Sequence, residues 1–198
     1  MAIALDNEFI YLASQSPRRS ELLRQLRVQF RIIRVQVDES VRPGEAPADC
    51  VQRLANDKAH AALGILGDDR RLAILAADTL VVVDDRILGK PVDRSEGLAM
   101  LALLSGRSHQ VLSAVSLWHA GRMQCALSVS MVTFRVISVE EGEHYWQTGE
   151  PLGKAGGYAI QGRAALFVER LEGSYSGVMG LPLFETGALL YAAGLRIL

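Results

Sequence analysis

The sequence predicts an α/β fold: a mixed, elongated sheet with flanking helices. Three observations carry that expectation. From Leu72 to Val83 every residue is apolar except Asp78 and Thr79, the pattern of a buried strand or a pair of strand segments. From Ala48 to about Gly64, Val51, Leu54, Ala55, Ala59 and Ala62 recur on one face of a helix. Two alternating runs, His109 to Trp118 and Met123 to Val136, flank Ala120-Gly121 and read as a long antiparallel hairpin.

The remaining elements follow in order. Phe9 to Ala13 is a short apolar strand, and Ser14-Gln15-Ser16-Pro17 turns the chain. Ser16 is a good helix cap and Pro17 a good first helical residue, so a helix is expected to run to Gln25 or Leu26. Val28 to Val37 alternates imperfectly and is expected to be a strand. A loop follows from Asp38 through Pro47, and another at Gly67-Asp68-Asp69. Asp84-Asp85 turns the central strand back along Arg86 to Leu88. Asp93 or Ser95 starts a helix with Leu98, Leu101, Ala102 and Leu104 inward. Ser138, with Glu141 three residues on, forms a capping box for a helix ending near Thr148-Gly149. Ala164 to Leu171 is expected to be a strand, Glu172 to Gly177 a loop, and Leu181 to Ala193 a last helix entered through Pro182.

Composition bounds the function. With 198 residues, 49% of them apolar, the chain makes one sizeable domain or two lobes sharing a sheet. A net charge of −1 argues against wholesale binding of nucleic-acid backbones. Arg18, Arg19, Arg24 and Arg27 have no aromatic stacking platform near them in sequence. No stretch reaches the ~18 apolar residues of a membrane span, and no basic leader precedes Phe9, so a cytoplasmic protein is expected. Cys50 and Cys125 stand in no metal or redox spacing, and the four histidines are scattered, which disfavours zinc.

Several residues stand out chemically. Asp78 is a carboxylate inside an apolar strand, a costly placement unless it is paired or binds a metal. With Asp84 and Asp85 as turn residues, Lys90 falls opposite Thr79, and a one-residue bulge would set it opposite Asp78. The pair is either structural or catalytic. Arg18 and Arg19 place the wrong charge at a helix N-terminus for the dipole. With Ser14 and Ser16 they make an anion site suited to phosphate. Lys58 sits on the apolar stripe of its helix, either snorkelling to water or pointing into a site. Asp38 and Glu39 are loop carboxylates or metal ligands. Pro151 to Gly162 is rich in glycine and holds Lys154, but it is not a P-loop. The spacing from Gly149 to Gly153 is one residue short, and Ala155 stands where Ser or Thr must bind magnesium.

Four stretches together resemble one family. Leu12-Ala13-Ser14-Gln15-Ser16-Pro17-Arg18-Arg19-Ser20-Glu21-Leu22-Leu23 resembles the opening signature of the Maf-type nucleoside triphosphate pyrophosphatases. Ala77-Asp78-Thr79 with Gly89-Lys90-Pro91 resembles their central one. Lys154 to Gly162 and Gly173 to Leu183 resemble the C-terminal ones. The match runs from about Phe9 to Leu190. The resemblance implies a single bilobal domain over residues 1–198, with two lobes around a central cleft, similar to the inosine triphosphate pyrophosphatases. It implies hydrolysis of dTTP and UTP to the monophosphate and pyrophosphate, with a divalent metal cation, magnesium or manganese. Asp78, Lys58 and Lys90 match the catalytic positions, and Glu39 with Asp78 the metal ligands. Ser14, Arg18, Arg19, Thr79, Lys154 and Gln161 match the substrate positions, Thr79 and Gln161 those that select the base. The family also leans toward homodimers, for which the long hairpin would offer an exposed edge. Departures from the pattern (Gly157, Ala159 and Gly177) touch no charged group. The competing reading is a nucleotide-binding regulator of cell division and septum formation without significant turnover. It needs the arginines but not an intact Asp78, Glu39, Lys58 and Lys90.

Overall fold

A computed structural model describes residues 9–67, 69 and 72–195. The segment before Phe9, read for a leader, and Asp68 of the predicted loop lie outside the described residues. The expected α/β architecture is observed. Seven strands form one mixed sheet in the order β2-β1-β3-β5-β6-β7, with β4 paired to β3. They are β1 (Ile10–Ala13), β2 (Phe30–Ile32), β3 (Ala73–Val83), β4 (Arg86–Leu88), β5 (Ser108–His119), β6 (Arg122–Phe134) and β7 (Val168–Glu172). The helices are α1 (Pro17–Gln25), α2 (Pro47–Leu66), α3 (Arg94–Leu104), α4 (Val139–Gln147), α5 (Tyr175–Met179) and α6 (Leu183–Ala192). Packing divides the chain into two compact units. One comprises Met1–Asp78, Ser113–Ser128 and Gly180–Leu198, the other Thr79–Leu112 and Val129–Met179.

In the first unit β1 pairs in parallel with both β2 and β3, with Ala13 opposite Ala76. Parallel strands need crossovers, and α1 and α2 supply them. Helix α2 lies close on the sheet because the later part of its buried stripe, Ala55, Ala59 and Ala62, is made of small residues. Ala59 and Ala62 pack with Ala13, Leu72, Ile74 and Ala76. The strand order β2-β1-β3 puts a topological switch point between β1 and β3, where ligands of open α/β sheets bind at the carboxyl ends of the strands.

In the second unit the hairpin β3-β4 keeps one register from Val83 opposite Arg86 to Val81 opposite Leu88. Asp84 and Asp85 both take left-handed backbone conformations, φ 48° and 58°, as a two-residue turn of this kind requires. Helix α3 is capped by Asp93, whose side chain accepts from the Glu96 N–H, and α4 by the expected Ser138–Glu141 box. Between β5 and β7 lies an aromatic cluster. His109, Phe134, Tyr158, Phe167 and Tyr145 meet edge to face at 4.9–6.2 Å. His109 Nε2 and the Tyr158 hydroxyl are 2.8 Å apart, and burial pushes the imidazole down to about 4, so it stays neutral.

Five expectations need correction. The strand expected over Val28 to Val37 is only Phe30–Ile32. The Ile33 N–H still donates to the Leu12 carbonyl at 3.0 Å, but Ile33 and Val35 lie outside the strand and alternate because they pack on the alanine cluster. The first half of the strand expected from Ala164 is a 3-10 turn, Arg163–Phe167, whose buried Ala164 and Phe167 lie one turn apart. The loop at Tyr175 contains α5. Ala102 is exposed, and the buried face of α3 is Gly97, Met100, Leu101 and Leu104. Lastly, β7 covers the outer edge of the long hairpin at Met131–Phe134, so that edge is not open there.

Gly97 is the point where α3 meets α4. A Cβ there would fall 2.2 Å from Cζ3 of Trp146. Gly97→Ala is therefore expected to cost about 1–3 kcal/mol of stability by overpacking. A urea midpoint measures it, and Trp146→Leu in the same chain should restore part of the loss. An unchanged midpoint would refute the close approach.

Candidate active site

The site grows from the end of β1 and the middle of β3. β1 stops at Ala13, and the next residue, Ser14, is buried. Two positions beyond Ala13's partner, Ala76, β3 carries Asp78, only 7% exposed. A strand that is buried along nearly its whole length thus holds one acid at the carboxyl edge of the sheet.

A lysine does meet Asp78, and it is Lys58 of α2. Its ammonium donates to Asp78 Oδ1 at 2.5 Å and to Glu39 Oε1 at 2.7 Å. The Lys58 side chain is 11% exposed, so it does not snorkel to water. One cation therefore joins two carboxylates from different parts of the chain. Removing one member of such a buried pair typically costs about 3–5 kcal/mol, because the other is left uncompensated.

Glu39 stands on the loop between β2 and α2, and that loop is tied to α2. Arg53 grips Glu45 with both arms, Nε to Oε1 at 2.5 Å and Nη2 to Oε2 at 2.8 Å. The same Nη2 donates to the Ser40 carbonyl at 3.0 Å, next to Glu39. The Arg42 N–H adds a bond to Glu45, and the Ser40 N–H one to Asp38. The Arg53 guanidinium holds the Glu45 carboxyl down at about 2. Sequence reading missed this pair, because two charged residues eight apart, one on a loop and one on a helix, carry no periodic signal.

The arginines stand on α1, which follows β1. Pro17 begins α1, no acidic residue stands in its first turn, and Ser16 makes no side-chain cap. The Ser14 hydroxyl instead accepts from the Ser16 N–H at 3.2 Å and from Arg19 Nη1 at 3.1 Å. Arg19 Nε donates to the Gly180 carbonyl at 2.7 Å. Burial pushes the Arg19 guanidinium below its ordinary value, while the fields of Asp78 and Glu39 oppose that and Arg18 adds to it. Burial lowers Arg18 as well. Ser14, Arg18, Arg19, Glu39, Lys58 and Asp78 thus share the first unit.

Thr79, Lys90, Lys154 and Gln161 belong to the second unit. Thr79 is half-buried, and Lys90 is exposed just after β4. The Lys154 ammonium donates to the carbonyls of Glu150 and Leu152. Ala155–Gly157 after it is a 3-10 turn, not the long helix a P-loop requires. That turn is tied back to the β4 segment by the Gly156 N–H, which donates to the Gly89 carbonyl at 2.9 Å. Gln161 is exposed at the tip of a turn.

Among the described residues, no three of His, Cys, Asp and Glu converge on a point that could hold a metal. Glu39 and Asp78 offer hard oxygens. Two carboxylates suit a magnesium-like cation that takes its remaining ligands from substrate phosphates and water. The donor chemistry fits a cation shared with an anionic substrate rather than one caged by protein. No helix among the described residues is long and apolar enough to cross a membrane.

A family model described as Maf-like protein matches residues 9–193. The chain is 53% identical over 200 residues to a protein of Cupriavidus metallidurans named dTTP/UTP pyrophosphatase, spanning 94% of this chain and 98% of that one. A protein of the same name from Xanthomonas campestris is 52% identical over 187 residues, 93% of this chain and 98% of its own. Another, from Saccharophagus degradans, is 52% identical over 184 residues, 92% and 88% of the two chains.

The loop clamp has a pH signature. In the fold Glu45 stays ionised down to about pH 2, whereas in the unfolded chain a glutamate protonates near its ordinary ~4.3. Its stabilisation is present above that ordinary value and is lost as the pH falls toward 2. Arg53→Gln should lower stability at pH 7 and flatten the loss between pH 4 and pH 2. Urea midpoints across that range check it, and parallel acid limbs for the two proteins would refute the clamp.

Proposed function

The chain belongs to the family of Maf-like proteins, and from that premise we propose that it is a nucleoside triphosphate pyrophosphatase. It hydrolyses dTTP and UTP, the substrates in its relatives' name, to the monophosphate and pyrophosphate. The observation that carries the reading is Asp78, buried, hydrogen-bonded to Lys58 and near enough for its field to act on the Arg19 guanidinium. A site built only to bind a triphosphate needs the arginines. It does not need a buried acid oriented by its own lysine.

The roles follow from position. Water attacks the α-phosphorus. The new bond joins its oxygen to that phosphorus, and the bond to the oxygen bridging toward the β-phosphate breaks. Asp78 takes the proton that water gives up. Lys58 fixes the orientation of that carboxylate through Oδ1. Arg18 and Arg19, with Ser14 beneath them, take phosphate oxygens, and the N–H groups at the start of α1 add to that field. Glu39 and Asp78 would hold the divalent cation, magnesium or manganese, which when bound draws charge off the triphosphate. From the second unit we assign Lys90 to the charge of the leaving pyrophosphate and Lys154 to substrate phosphate. Thr79 and Gln161 go to the base, since a carboxamide both donates to and accepts from a pyrimidine edge. The partner is a small nucleotide rather than a nucleic acid, in keeping with a net charge of −1. We read the protein as a cytoplasmic homodimer, by analogy with the family.

Pyrophosphate release from a panel of nucleoside triphosphates, with magnesium or manganese present, tests the reaction. Release from dTTP and UTP is expected. Asp78→Asn should lower turnover by about 10²–10⁴-fold and leave nucleotide affinity within a few-fold of wild type. Near-normal turnover in that variant would remove Asp78 as the base.

A further inference from the structure

Gln161 is presented by a turn whose two ends are held by one pair of side chains, Tyr145 and Glu150. The Gly162 N–H donates to the Ala159 carbonyl at 2.9 Å and closes a four-residue turn with Ile160 and Gln161 at its centre. Ala159 and Ile160 are buried and Gln161 is exposed, so the turn turns its carboxamide outward. On the entry side, the Ala159 N–H donates to the Tyr145 hydroxyl at 3.1 Å. That hydroxyl donates in turn to Glu150 Oε1 at 3.0 Å. On the exit side, Glu150 Oε2 accepts from the Arg163 N–H at 3.0 Å. The carboxylate also lies against Gly162, where a Cβ would come within 2.2 Å of Oε1.

Both side chains are themselves fixed. Tyr145 is 3% exposed and stands edge to face with Phe167 at 5.3 Å. Burial pushes its hydroxyl well above the ordinary tyrosine value, so it remains a donor toward Glu150. Glu150 follows directly on the turn that ends α4, where its N–H donates to Thr148 Oγ1. Two groups outside every signature stretch therefore set where the carboxamide at 161 can be.

We propose that Tyr145 and Glu150 are the positioning residues for base selection, acting through the turn that carries Gln161. This rests on the assignment of Gln161 to the base. An exposed glutamine on an untethered turn would sample many orientations and discriminate weakly. Holding its backbone at both ends converts one carboxamide into a directional donor and acceptor, and a site built to pair a substrate edge rejects analogues that leave it unpaired.

The test compares wild type with Tyr145→Phe, Glu150→Gln and Gln161→Ala. Tyr145→Phe keeps the ring packing and removes only the hydroxyl. Glu150→Gln keeps the shape but leaves one of the two acceptors. For Tyr145→Phe, the ratio of kcat/KM for dTTP over dCTP should fall at least about tenfold. The change should lie in KM, with kcat on dTTP within about threefold of wild type. Glu150→Gln should fall between. Gln161→Ala should lower the ratio as far, and adding Tyr145→Phe to it should lower it no further. Independently of turnover, the amides of Ala159 and Arg163 should exchange faster with solvent in Tyr145→Phe and in Glu150→Gln. An unchanged ratio in Tyr145→Phe overturns the proposal, and so does an unchanged ratio in Gln161→Ala. If the wild type releases no pyrophosphate from dTTP or UTP, the enzymatic reading fails on its own. Competition between dTTP and dCTP for binding then supplies the same ratio, and an equal ratio in wild type and Tyr145→Phe still overturns this proposal.

Discussion

One buried charge constrains much of the first unit. Asp78 sits in a strand that is apolar but for itself and Thr79, and almost wholly covered. Taking a carboxylate out of water carries a penalty of several kcal/mol, so a partner cation must arrive with it. That partner is Lys58, and its arrival dictates where α2 runs. The helix must approach β3 closely enough for a lysine to reach the strand, and the alanines facing Ala13 and Ala76 allow that approach. A larger residue at Ala59 or Ala62 would push the helix outward and pull the ammonium from the carboxylate. Small residues in this layer are therefore part of the site, although none of them touches a substrate.

The same helix also governs Glu39. Lys58 takes the glutamate's carboxylate, while Arg53, about one and a half turns earlier, takes the backbone and side chain of the loop that carries it. The loop has almost no regular structure between β2 and α2. Without Arg53 its placement would depend on the Lys58 contact alone, and a half-exposed ion pair is a weak restraint. Two charged anchors on one helix turn a long loop into a fixed arm. The second unit solves the equivalent problem differently. There the loop from Glu150 to Arg163 is held by backbone N–H groups on two neutral or acidic side-chain oxygens. It is also held by the edge-to-face packing of Tyr158 against His109 and Phe134.

What the sequence discloses follows from how local each signal is. Asp78 and Lys58 are each visible alone, as charges on apolar stripes. That they meet is not, because twenty residues and a crossover separate them. The hairpin turn at Asp84-Asp85 and the Ser138–Glu141 box are local in sequence, and both are where the pattern puts them. The misreadings share a cause. Alternation from Val28 onward reads as strand because Ile33 and Val35 do pack inward, yet a ladder needs a neighbour as well as a buried face. Ala164 and Phe167 are apolar at a spacing of three, which a short run does not separate from a strand. Gly97 contributes no hydrophobic signal, so the face of α3 was drawn through Ala102 instead of through the glycine against Trp146. Glu150 and Tyr145 belong to no motif or periodic pattern in the sequence. Only the fold brings their oxygens to the turn at Gln161.

The charges of the first unit leave a remainder. Arg18, Arg19 and Lys58 supply three positive charges, and Glu39 and Asp78 two negative ones, all within mutual influence through the Arg19 environment and the Lys58 bridge. A single net positive charge does not neutralise a triphosphate, which carries several negative ones. The two carboxylates even work against its entry. An arrangement evolved only to attract phosphate would omit them. Their presence is reasonable if the substrate arrives with a divalent cation, since carboxylates that repel the bare polyanion attract its metal complex. The lysine between them then has a second consequence. It keeps two acids compatible with one another and with a buried strand before any substrate is bound, so the site need not be assembled by the ligand.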